Sequence, residues 1–112
     1  ALGAEDTVAW RHFATALEAV QQLKEQGYTV FSTEQCEGST MLQALELGIA
    51  GSPEASPRYA IVLGNEVKGV HQEVVDASDG CIEIPQFGTK HSLNVSTTAG
   101  IVIWEFAKQL LI

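Results

Sequence analysis

Five residues in unbroken succession, Tyr59-Ala60-Ile61-Val62-Leu63, are apolar and run directly into Gly64. A run of this length is short for a helix and does not alternate, which suits a strand covered on both faces in a parallel sheet. Parallel neighbours cannot be joined by a two-residue hairpin; each pair needs a crossover, usually helical. The rest of the chain must therefore supply helices for both faces of the sheet.

It does so at both ends. From Thr7 to Gln26 the residues Trp10, Phe13, Leu17, Val20 and Leu23 recur at spacings of three and four, predicting one amphipathic helix. Asp6 or Thr7 is positioned to cap it, and Gly27 to end it in a left-handed conformation. Tyr28 to Thr33 is rich in β-branched and aromatic residues and reads as the next strand. Gly38, Gly48, Gly51, Pro53 and Pro57 mark residues 34–58 as mostly loop, with one or two helical turns over Met41 to Leu47. His71 to Ala77 reads as a short helix and Cys81 to Ile84 as a short strand stopped by Pro85. Leu93 to Ile112 is too long for an ordinary strand and reads as a helix apolar nearly all round. Such a helix must be covered on all sides, so part of it is expected to meet another subunit, with Gly100 allowing close approach of a second backbone. The order of elements is α/β.

A chain of 112 residues, 46% apolar and 18% charged, is enough for one domain and too apolar for a disordered tail. Its formal charge of −8 argues against a partner gripped mainly through phosphates. Cys36 and Cys81 lie far apart with no C-x-x-C spacing, predicting reduced thiols in a cytoplasmic protein and neither a disulfide scaffold nor a zinc ribbon. No stretch has the length of a membrane span, and no basic region precedes an apolar one at the start. The opening Ala1 to Glu5 lacks an initiator Met, as though the chain had been cut from something longer.

Three segments are candidates for chemistry: Gly64-Asn65-Glu66 after the buried strand, Ile84 to Gly88 after the next, and Ser92-Leu93-Asn94 opening the last helix. They fall just beyond strand carboxyl ends or at a helix N-terminus, where parallel α/β sheets hold ligands. Taken singly, each residue has a plainer reading, Gly64 as a turn and Ser92 and Asn94 as helix caps. The phosphate-binding G-x-x-x-x-G-K-[ST] loop, the dinucleotide G-x-G-x-x-G turn and the hydrolase G-x-S-x-G elbow are all missing from the sequence. His12, His71 and His91 have no metal-ligand spacing, and His91 beside Ser92 is only an adjacency in sequence.

Read together, two of these segments are far more specific than either alone. Ala60-Ile61-Val62-Leu63-Gly64-Asn65-Glu66-Val67-Lys68-Gly69-Val70 and Ile84-Pro85-Gln86-Phe87-Gly88-Thr89-Lys90-His91-Ser92-Leu93-Asn94-Val95-Ser96, continued by Ala99-Gly100-Ile101, resemble the second and third motifs of the SpoU (TrmH-type) branch of the SPOUT RNA methyltransferases. The resemblance covers most of the chain and implies transfer of a methyl group from S-adenosylmethionine to a ribose 2′-hydroxyl of tRNA or rRNA. It implies a parallel α/β sheet with flanking helices, closed as a deep trefoil knot, a rare exception to the rule against knots. Separately from the resemblance, the apolar surface of the last helix predicts a homodimer through it, and the residue spacings and apolar runs predict no metal and no membrane.

Carried over by position, Thr33, Gly64, Ile84 and Leu93 are the expected cofactor contacts, the last three largely through backbone groups. Glu66, Ser92 and Asn94 are the expected catalytic positions, bordering cofactor and ribose and acting by alignment. The chain departs from the family at its start, where an upstream βαβ unit with an Asn and an Arg has no counterpart. Arg11 and Arg58 are its only arginines, and neither has a matching context; Val67 stands where many members have Gly. On this resemblance residues 1–112 form the C-terminal part of a methyltransferase domain. The alternative is a non-catalytic RNA-associated or regulatory module that keeps the pocket, and a third reading is a small-ligand α/β domain unrelated to RNA.

Overall fold

The structure, a computed structural model, describes residues 13–47, 58–64, 69–85 and 94–111. Three helices and four strands alternate along it: α1 (Ala16–Glu25), β1 (Thr29–Thr33), β2 (Thr40–Met41), β3 (Tyr59–Leu63), α2 (Gln72–Ala77), β4 (Gly80–Glu83) and α3 (Val95–Leu111). The strands form one sheet in the order β2-β4-β1-β3, and every neighbouring pair is parallel. The α/β architecture read from the sequence is therefore observed.

α1 begins later than its apolar periodicity suggests. Phe13 to Thr15 are not helical, and the cap is Thr15, whose hydroxyl accepts the Glu18 amide at 3.1 Å. Thr15-Ala16-Leu17-Glu18 has the residue pattern of a capping box, a local stop that overrides the longer stripe; the expected caps Asp6 and Thr7 lie outside the described residues. The other end is as expected. Gly27 has φ +91°, its amide bonds Lys24 O at 3.0 Å, and the Tyr28 amide bonds Leu23 O at 3.0 Å, the two bonds of a Schellman termination.

The sheet separates two cores by strand alternation. On one face Val20 of α1, Val30 of β1 and Val74 of α2 are buried together, with Leu17, Leu23, Ala60 and Val62 around them. Ser32 shares this face, fully buried, and its hydroxyl meets that of Ser78 at 2.6 Å; Ser78 in turn donates to Val74 O at 2.8 Å. On the other face Phe31, Tyr59 and Ile82 pack against Val102 and Phe106 of α3. Phe31, Tyr59 and Phe106 form a three-ring cluster with centroids 5.6–6.1 Å apart, within the range where edge and offset ring contacts attract. The residues of β3 are half-buried rather than fully covered, because among the described residues β3 is an edge strand.

Of the one or two helical turns expected over Met41 to Leu47, one forms: Met41 ends β2, Leu42–Ala44 make a single 3₁₀ turn, and Leu45 to Leu47 are irregular. Leu42, Leu45 and Leu47 all point into the α3 core, an arrangement at odd and even positions that neither helical nor strand period describes. Cys36 and Cys81, far apart in sequence, are neighbours in space, their sulfurs facing one another. Ser32 lies opposite Cys81 across the β1–β4 ladder, and that long-range pairing brings together cysteines whose spacing in sequence is uninformative.

The strap from Leu42 to Leu47 is held on α3 by one side chain. Gln109 accepts the Leu47 amide at 2.8 Å and donates to the Leu45 carbonyl at 2.9 Å, serving as a stand-in for a neighbouring strand. The same amide donates to Glu105 at 2.7 Å. That bond first, and Lys108 second, hold the Glu105 carboxyl below the ordinary glutamate range. A lowered folded-state value stabilises the protein at pH above the unfolded-state value, and the contribution is lost as pH falls through the folded one. Gln109→Ala leaves a backbone donor and an acceptor without partners, and should cost about 1–3 kcal/mol. Urea unfolding at pH 7 measures this, and repetition toward acid should show the variant losing less stability than wild type as Glu105 protonates.

Candidate functional site

The carboxyl ends of β4, β1 and β3 lie side by side. Thr33, the last residue of β1, is opposite Leu63 of β3 and Ile82 of β4, so Gly64 and Ile84 follow directly on either flank. Three of the four expected cofactor contacts, Thr33, Gly64 and Ile84, are thus brought to one edge of the sheet. Leu93 lies outside the described residues, as do Glu66 and Ser92. Asn94 sits at the entry to α3, where its side-chain oxygen accepts the Ser96 amide at 2.8 Å and its carbonyl accepts the Thr98 amide at 2.9 Å. The capping reading of Asn94 is therefore realised, whatever else its side chain does.

Thr33 carries the feature that points to a ligand. Among the described residues its buried hydroxyl oxygen has no hydrogen-bond partner, and buried polar atoms in folded proteins are normally paired. A ligand that brings a donor or acceptor to this strand end would satisfy it. Ile84, half-buried beside it, offers an apolar side chain to a planar ring. Together these suit a cofactor that is part polar and part flat and apolar, as an adenosyl group is.

Gly64 acts differently from the open approach surface that sequence suggests. A Cβ built there would lie 2.4 Å from the Gly69 carbonyl carbon and 2.5 Å from the Val70 nitrogen, so the space is already taken by the chain's own backbone. Gly69 has φ +68°, a conformation that side chains disfavour. Residues 64 and 69–70 are therefore pressed together at the two ends of the segment that carries Glu66.

Sequence reasoning missed Glu34. Its carboxylate accepts the Val70 amide at 2.8 Å and the Gln35 amide at 3.0 Å, while its own amide donates to Ile82 O at 3.0 Å. Little in the local sequence marks it, since of its three partners only Gln35 is adjacent, and Val70 and Ile82 lie 36 and 48 residues away. Among the described residues no cluster of three or more His, Cys, Asp or Glu is placed to hold a metal ion. Among them, too, no helix is long and apolar enough to cross a membrane.

The model of the SpoU rRNA Methylase family matches residues 1–104. The chain belongs to the SpoU family. It is 38% identical over 93 residues to a tRNA (guanosine(18)-2'-O)-methyltransferase of Mus musculus, covering 83% of this chain and 5% of that one. A 23S rRNA (guanosine-2'-O-)-methyltransferase of Neisseria meningitidis serogroup B is 32% identical over 109 residues, 97% of this chain and 40% of that one. The crystal structure of the A. aeolicus TrmH/SpoU tRNA modifying enzyme superposes with a TM-score of 0.68 at 27% identity, over 87% of this chain and 45% of that one. The chain thus spans less than half the length of each of these SpoU relatives.

The contact at Gly64 yields a direct test. In Gly64→Ala the new methyl group must push the Gly69–Val70 backbone away, separating Val70 from Glu34. Amide exchange at Val70 should quicken by roughly tenfold or more, the size expected for losing a hydrogen bond to a charged group, while exchange at Val30 in the sheet centre stays as in wild type. Unchanged protection at Val70 would contradict the close approach.

Proposed function

We propose that this chain is the cofactor-binding C-terminal part of a SpoU-type RNA 2′-O-ribose methyltransferase domain, acting on tRNA or rRNA with S-adenosylmethionine. The observation that carries the reading is the Thr33 hydroxyl, buried with no partner among the described residues, between Gly64 and Ile84 at the carboxyl edge of a parallel sheet. Family membership and the names of the relatives, RNA 2'-O-methyltransferases for tRNA and for rRNA, supply the chemistry. S-adenosylmethionine, when bound, supplies an activated methyl group.

The chain's own task is then alignment. Thr33, Ile84 and the backbone at Gly64 and Leu93 hold the cofactor. Glu66, Ser92 and Asn94 border it and set the ribose hydroxyl in line with the methyl group, since near-contact geometry is the main thing a protein contributes to such a displacement. Asn94 does its part by fixing the first turn of α3 beside Leu93. The chain closes as the family's trefoil knot and works in the cytoplasm. Isothermal titration of S-adenosylmethionine into folded protein should give a heat of binding; none at millimolar cofactor sinks the reading.

The formal charge of −8 favours the alternative, a non-catalytic module retaining the pocket. The 112-residue chain by itself is expected to transfer little methyl to RNA; radiolabelled cofactor with bulk tRNA and bulk rRNA, given to a full SpoU-type domain that contains it, separates the two, because label retained in RNA belongs only to the enzyme.

Assembly belongs to the same proposal. Of α3, Val102 and Phe106 are buried, whereas Ile101, Ile103, Trp104 and Leu111 are exposed, the last at 82%. Trp104 and Leu111 are seven residues apart and Ile101 three before Trp104, so they line one stripe. Among the described residues an added Cβ at Gly100 would meet nothing within 4 Å, which suits a second copy on that side. A homodimer through this stripe, two-fold as self-complementary patches usually are, is expected to sediment as a dimer at micromolar concentration. Trp104→Glu should shift it to monomer; a monomeric wild type would overturn this part of the proposal.

A further inference from the structure

Glu34 is half-buried, lies immediately after the strand end that offers Thr33, and joins three strand ends at once. Its amide is bonded to Ile82 of β4, two residues before Ile84. One carboxylate oxygen accepts the Gln35 amide on its own strand's extension, and the other accepts the Val70 amide at the far end of the segment that begins at Gly64. At that end Gly69 lies so close to the carboxylate that a Cβ there would collide with it. The other end is fixed by the same contact, because Gly64 packs on the backbone of Gly69 and Val70. One side chain therefore governs both ends of the segment bearing Glu66.

We propose that Glu34 is a positioning residue of the methyl-transfer site, holding Gly69 and Val70, and through them Gly64, against the carboxyl edge of the sheet so that cofactor contacts at Thr33, Gly64 and Ile84 are held in register. This inference rests on the proposed cofactor-binding function. The side chain is suited to the task because it is long enough to bring an acceptor oxygen to the Val70 amide from the end of β1; a serine or threonine hydroxyl is shorter and an ammonium group accepts nothing. Its function is reach and acceptance rather than charge toward the ligand.

That distinction sets the experiment. Glu34→Gln keeps the length and one acceptor oxygen for Val70 but removes the charge; Glu34→Asp keeps the charge but is one methylene short of Val70; Glu34→Ala removes both. Affinity for S-adenosylmethionine is measured by titration calorimetry on the full chain, at a temperature where circular dichroism shows each variant native. The latch predicts affinity within roughly threefold of wild type for Gln and a loss of roughly tenfold or more for Asp and Ala, with amide exchange at Val70 quickened in those two alone. The reverse order, Asp retained and Gln lost, shows a charge effect and overturns the proposal, as does equal binding by all four proteins. If the Ala variant does not fold, the order of Gln and Asp decides by itself. A wild type that binds no cofactor fails the underlying function, and the inference with it; a wild type that binds alongside an unaffected Asp variant fails the inference alone.

Discussion

Parallel pairing on both sides of β1 is the constraint from which the remainder follows. β1 meets β3 over five residues and β4 over three, and each of those ladders requires a connection that leaves one face and returns. α2 makes the return between β3 and β4, packing Val74 under Val30. α1 delivers the chain into β1 through the glycine-terminated turn at Gly27. Because all strands run one way, their carboxyl ends collect at one edge, and residues from three distant parts of the sequence become neighbours there without any of them having been adjacent in the chain.

The parts of this arrangement that were legible in the sequence are those set by local physics. The apolar run ending at Gly64 read as a strand because no turn former interrupts it, and Gly27 read as a terminator because few other residues enter its backbone conformation at low cost. The long final helix was legible from length alone. Thr15 was missed because the apolar stripe continues upstream of it, and periodicity outvoted a capping pattern only four residues long. The facing cysteines and the strap leucines were missed for one common reason. Their partners are chosen by strand order, and strand order is a property of the whole sheet.

The site divides along the same line. Thr33, Gly64 and Ile84 were placed by resemblance, and they do share an edge; yet the reason for Gly64 was read wrongly, as room for a ligand, where the space is filled by Gly69 and Val70. Glu34 looked like an ordinary acidic residue in a loop of acidic and polar ones. Its part emerges only when a backbone donor from elsewhere, the Val70 amide, arrives at one of its oxygens. A carboxylate that bonds main chain leaves no side-chain pattern in the sequence of its partners, which is why such residues escape motif-based reading.

Gln109 has a bearing on how the molecule is made. Its bonds to Leu45 and Leu47 span 64 and 62 residues of sequence. Until α3 exists, the leucines of the strap lack Val102 and Phe106 as cover, and until its last turn Leu45 and Leu47 lack the bonds of Gln109. During synthesis that face stays greasy and half-finished until α3 is made, and contacts of such high order tend to form slowly. The vulnerable period of this protein therefore belongs to its birth.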